Sequence, residues 1–184
     1  KIGYIQTIQQ YVNDNKLNPK AVFGWNMAWA PPVDDELRNK YTYSPNSYIN
    51  NYAQYGHNRA NMYNAIAQCV KDYILADDTF TCMIPSGTVM ENALSSYLEE
   101  KDIHRDYVHA SDLARVMVSY VWYCTLTGAE QLEEIKLDAV PKAFFKSTVG
   151  SADWVLTEAE KALILECVNN ALKNPLEMTQ SQYT

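Results

Sequence analysis

The chain has 184 residues, with 15 Lys and Arg against 22 Asp and Glu, a net charge of −7. That length fits one domain. The acidic balance argues against a nucleic-acid or anionic-membrane binder, both of which want a basic surface. With 47% hydrophobic and 20% charged residues the chain can bury a core and is not disordered.

Other classes fall away on pattern. No run of about 18 apolar residues exists, so no helix is expected to span a membrane. Cys69, Cys82, Cys124 and Cys167 lie far apart, with no CxxC and no nearby His pair. Structural zinc and a disulfide scaffold are therefore not expected, while spacing leaves a single disulfide open.

In chain order, Ile5, Ile8 and Val12 recur at helical spacing, so the chain opens on a helix already under way. Asn13 to Asn15 and Pro19 end it. The opening reads as the middle of a domain, with residues expected upstream of Lys1. Ala21–Ala30, apolar and aromatic and closed by Pro31-Pro32, reads as a buried strand of a parallel sheet. Residues 31–50 read as a long polar loop, in which Asp34, Asp35 and Glu36 are solvated.

A helix is predicted from Tyr52 to Leu75, with Met62, Ile66, Cys69, Val70 and Tyr73 as its stripe, and Asp77-Asp78 ends it. Thr79–Ile84 is a second strand, stopped by Pro85-Ser86-Gly87, and Val89–Leu98 a short helix. Glu99–Arg105 is a charged, solvated connection. Residues 110–127 form an apolar helix stopped at Gly128. Glu130–Lys136 adds a helical turn or two. The last helix runs from Thr157 to about Leu172, opened by a Thr157/Glu160 capping box and closed by Asn174-Pro175. Buried strands alternating with helices imply a single α/β domain over residues 1–184 with a parallel sheet. Two strands are few for such a sheet, a second reason to expect strands upstream.

Of the three histidines, His57 and His104 read as solvated. His109 differs, because Asp106 precedes it by three residues in a loop that enters an apolar helix. A carboxylate at that spacing can accept Nδ1–H, fix the tautomer and leave Nε2 to take a proton from a nucleophile. Spacing alone leaves a second reading, in which Asp106 merely caps the helix.

The segment from Ile84 to Gly128 carries Pro85-Ser86-Gly87, then Arg105-Asp106-Tyr107-Val108-His109, then Leu126-Thr127-Gly128. With the Trp-rich strand Trp25–Ala30 and the tail around Val168–Leu172, it resembles the C-terminal part of SGNH (GDSL-type) hydrolases, in particular a gut-bacterial branch. The resemblance implies a three-layer α/β/α fold and a serine esterase acting on an ester, such as an acylated carbohydrate, with no cofactor or metal. It makes His109 the general base and acid, and Asp106 its orienting partner. The branch is often exported, which implies a periplasmic or extracellular location.

The chain departs from the family in having no Gly-Asp-Ser and no Gly-x-Asn-Asp block. The resemblance places both upstream of Lys1, which makes that missing segment a partner of this one. Ser86 is set aside as nucleophile because the family pattern places its segment elsewhere, and Ser111 reads as a helix cap. Asn26 at a strand's carboxyl end, Trp29 and Arg105 are candidate substrate contacts. Core packing for the tryptophans and a surface salt bridge for Arg105 are the competing readings. No glycosidase carboxylate pair stands out. The alternative function is a hydrolase-like module without catalysis that binds glycan or serves a structural role.

Overall fold

The computed structural model describes residues 3–15, 18–33, 54–106, 108–139 and 155–184. Residues 34–53, which hold most of the predicted long loop and its acidic start, lie outside the described residues, as does Tyr107. The described residues form a mixed α/β structure. Its elements are α1 (Gly3–Asn15), β1 (Phe23–Asn26), α2 (Arg59–Cys69, continued by a π-helical turn, Val70–Ile74), β2 (Phe80–Ile84), α3 (Ser86–Leu94), α4 (Glu100–Ile103), α5 (Asp112–Thr127), a 3-10 segment (Glu134–Ala139) and α6 (Glu158–Lys173).

β1 and β2 pair in parallel, with Trp25 opposite Met83 and Asn26 opposite Ile84. A parallel pair needs a crossover, and α2 lies on it. The extended path continues past β1, since Met27 N–H donates to Ile84 O (2.9 Å) and Gly87 N–H to Met27 O (3.0 Å). Gly87 is required there: a Cβ would stand 2.3 Å from the Ala28 carbonyl oxygen. The Pro-Ser-Gly segment, read from sequence as a stop before a helix at Val89, is the first turn of α3 itself. Proline is compatible with a helix start and glycine lets two backbones touch.

Two hydrophobic clusters flank the sheet. The larger unites α3, α5 and α6 through side chains such as Met90, Met117, Val121, Leu163 and Ile164, with Ile84 from β2 and Trp29 partly buried against it. The smaller packs Tyr63, Ala67, Val70 and Ile74 of α2 and its π turn on Met27 and Ala30, with Trp25, Phe80 and Met83 at its margin. The buried face of α2 is thus rotated from the predicted stripe: Cys69 and Tyr73 face solvent. A mixed apolar and aromatic helix offers more than one stripe, and the π turn shifts its phase after Cys69. On α1, Gln9 is the buried residue and Ile8 is 61% exposed. Gln9 turns inward because its amide donates to Thr79 Oγ1 (2.5 Å).

α5 and α6 start and stop as their end residues dictate. Ser111 Oγ accepts Ala114 N–H at the start of α5, and Gly128 closes it in the left-handed conformation (φ 72°). The Thr157/Glu160 capping box is present at α6. All four cysteines are free thiols. No helix among the described residues is long and apolar enough to cross a membrane.

Candidate functional site

The loop between α4 and α5 is built from a pinned neck outward. His104 and Ala110 form an isolated antiparallel bridge. Arg105 N–H donates to His109 O (2.9 Å) and Ser111 N–H to Ile103 O (2.8 Å). Ser111 Oγ adds a bond to Asp102 O (2.6 Å). Ser111 therefore caps α5 and ties the loop's two stems together.

Above the neck, Asp106 gathers donors. Its Oδ1 accepts the backbone N–H of Val108 (3.0 Å) and of His109 (2.8 Å). The His109 ring nitrogen Nδ1 lies 2.9 Å from Oδ1 and 2.8 Å from Oδ2. An ionised carboxylate only accepts, so Nδ1 carries the proton of this contact. The three-residue spacing has a local cause: a short acidic side chain bonding its own backbone two and three residues on curls the loop and brings the imidazole back. Asp106 acts as an Asx-type turn former and an imidazole partner at once; the cap of α5 belongs to Ser111.

The electrostatics divide the pair. The Asp106 side chain is 4% exposed and that of His109 57%. Burial works against ionising Asp106, but the N–H groups of Val108 and His109 and the His109 ring outweigh it and hold the carboxyl below its ordinary range. The Arg105 guanidinium, with Nε 3.5 Å from Asp106 Oδ2, adds a nearby positive charge. Arg105 is thus engaged in an ion pair with the site's own carboxylate.

The other candidates sit differently. Trp29 reaches the loop directly: its indole N–H donates to Val108 O (3.2 Å), 79 residues away in sequence. Asn26 is engaged with Ser86, whose Oγ donates to Asn26 Oδ1 (2.6 Å) and accepts the indole N–H of Trp122 (3.2 Å). Ser86 is fully buried. Its hydroxyl is committed to Asn26 and Trp122 at the strands' carboxyl ends, rather than to His109.

A second polar group lies beneath the loop. Arg59 at the start of α2 pairs with Glu91 in α3 and with Glu100 in α4 (Nε to Oε1 3.2 Å). His104, expected to be solvated, is fully buried, and neither ring nitrogen has a hydrogen-bond partner. Burial, aided by the positive charge of Arg59 and opposed by Asp106, pushes its pKa down to about 4. The imidazole is therefore neutral at pH 7. Glu91 is also buried, and desolvation raises its carboxyl above the ordinary value although Arg59 pulls it back. Glu100 likewise is not the solvated carboxylate expected, since it closes on Arg59. The one sequence signal for this group was Glu91, a lone charge inside the apolar run Thr88–Leu94. Nothing in the spacing pointed to Arg59, 32 residues earlier. Among the described residues no group of three or more His, Cys, Asp or Glu side chains is arranged to hold a metal ion.

Comparison with known proteins gives one family. The model of a domain of unknown function, DUF4886, matches residues 9–144. A crystal structure of a DUF4886 family protein from Bacteroides uniformis ATCC 8492, at 1.50 Å resolution, is similar with a TM-score of 0.64 and 19% identity. The likeness covers 94% of this chain and 56% of that one, so the chain spans little more than half the length of its solved relative. At that identity it bears on the fold alone. No curated protein matches the chain.

Proposed function

The chain belongs to the DUF4886 family, and for it we propose the Asp–His half of a serine ester hydrolase of SGNH type, with a three-layer α/β/α domain completed by a segment preceding Lys1 in the longer protein. One observation carries the reading: a nearly buried Asp106 carboxylate holds Nδ1 of an imidazole that is itself more than half exposed.

On this reading a serine hydroxyl from that segment attacks an ester carbonyl. His109 takes the hydroxyl proton at Nε2 and hands it to the departing alcohol. Water then attacks the acyl-enzyme, with His109 again as base, and releases the acid and the serine. Asp106 keeps Nδ1 protonated and stabilises the imidazolium while it lasts. The substrate class is an ester, such as an acyl group on a carbohydrate.

The test uses the protein carrying its native upstream residues. It is incubated with a fluorophosphonate probe, and the labelled peptide is sequenced by mass spectrometry, alongside turnover of p-nitrophenyl acetate. Labelling of a serine outside residues 1–184, with turnover abolished in His109→Ala, supports the reading. Turnover that survives His109→Ala overturns it. No labelling and no turnover, together with retained binding of a glycan, moves the assignment to a binding module without catalysis.

A further inference from the structure

The indole of Trp29 touches the loop at one informative place, the carbonyl of Val108 (3.2 Å). That carbonyl and the N–H of His109 belong to the same peptide unit. A peptide is planar, and in the trans form its C=O and N–H point in opposite directions. Trp29 holds one end of this plane and Asp106 Oδ1 holds the other (2.8 Å). Rotating the plane would break both bonds at once. The preceding N–H, that of Val108, is also on Asp106 Oδ1 (3.0 Å).

Trp29 is itself set on a firm base. Two residues before it, Met27 is bonded to Ile84 O and to Gly87 N–H. Gly87 brings α3 so close that its absent Cβ would lie 3.4 Å from the Trp29 Cα. The ring packs against the large helical cluster. A partly buried indole N–H needs an acceptor, and here the acceptor is the carbonyl of the same peptide whose N–H Asp106 holds.

We propose that Trp29 is a positioning residue for His109, holding the Val108–His109 peptide so that Asp106 stays aligned with His109 Nδ1. Its effect on catalysis rests on the esterase reading, whereas its effect on the loop does not. The sheet end and the loop are joined through one indole hydrogen bond, and the alignment of the Asp106–His109 pair depends on a residue bonded to the Val108 carbonyl and not to the imidazole.

The experiment compares wild type with Trp29→Phe, which keeps an aromatic ring and loses the donor, in the protein with its native upstream residues. Long-range 1H–15N correlation of histidine side chains reads the tautomer of His109. Wild type is expected to show a single Nδ1–H form, and Trp29→Phe a pattern displaced toward the averaged tautomers. On the esterase reading kcat falls about fivefold to tenfold, the worth of one hydrogen bond, with KM nearly unchanged. A folded Trp29→Phe with the wild-type His109 pattern overturns the proposal. Should the variant not fold, exchange of the wild-type Trp29 indole N–H decides. Protection supports the bond, and exchange at the rate of an unstructured indole overturns it. Ester turnover by His109→Ala would remove the esterase reading and leave the tautomer result standing, so the two failures are distinguishable.

Discussion

His104 and His109 lie five residues apart on the two stems of one loop, and their surroundings are opposites. His109 has a carboxylate on one nitrogen and solvent over more than half its side chain. His104 is fully buried with no hydrogen-bond partner on its ring, near an arginine that already holds two carboxylates. The outer region joins a base to a buried acid and leaves the base reachable. In the inner region burial holds the imidazole neutral and Arg59 bridges two carboxylates. Residue type does not separate a reactive imidazole from a structural one; access and the partner's charge do.

The widest gap between the two regions is expected in turnover. On the proposed esterase reading, His109→Ala and Asp106→Asn should each lower kcat/KM for an ester by about 10³ to 10⁴. The denaturant midpoint of His109→Ala should stay close to wild type, because the side chain is exposed. Activity retained in both variants would make the outer pair as structural as the inner one.

The inner region should show its weight in stability. Arg59→Ala leaves Glu91 buried without its partner, at a cost of about 3–5 kcal/mol in urea unfolding. The double change Arg59→Met with Glu91→Gln should recover part of that loss, since the buried Glu91 charge leaves with Arg59 while the more exposed Glu100 keeps its own. Equal losses in the single and double variants would show that packing, not charge, dominates.

Acid titration sharpens the contrast further. The folded pKa of His104 lies below that of the unfolded chain, so the unfolded state binds the proton first. Stability should fall as pH drops from about 6.5 to about 4, by up to about 3 kcal/mol. Asp106, whose folded pKa is lowered, adds a loss at still lower pH as its carboxylate is protonated. His104→Phe should flatten the upper part of this profile, read as unfolding midpoints against pH. A slope unchanged by that substitution would assign it to other groups.

The smallest effect lies far from both regions. Thr157→Ala removes the acceptor for Glu160 N–H (3.1 Å) and should cost about 1 kcal/mol, with ester turnover unaffected.

Much of the secondary structure was written locally. The alternation of apolar strands and helices, the Ser111 and Thr157 caps and the Gly128 stop depend on side chains within a few residues of where they act, and each stands where sequence placed it. The Asp106–His109 contact belongs to the same group, because a three-residue loop closed by backbone N–H groups is a local structure. Interactions across the fold were not legible. The facing side of α2 depended on which of several apolar stripes met the sheet. The burial of His104 depended on the tertiary packing around a segment whose composition reads as solvent-loving. The Trp29–Val108 bond spans 79 residues, and the Arg59–Glu91 pair 32.

Sequence by itself determined the α/β character, the parallel pairing implied by two apolar strands with a helical crossover, and the acid–imidazole unit, since periodicity, caps and short-range hydrogen bonds need only neighbours in the chain. That the strands are partly exposed and not buried throughout was a tertiary outcome. The tertiary structure decided which imidazole is reachable, which acid is buried, and that a tryptophan from the sheet holds the loop. Burial and long-range hydrogen bonds come into existence only when distant segments pack.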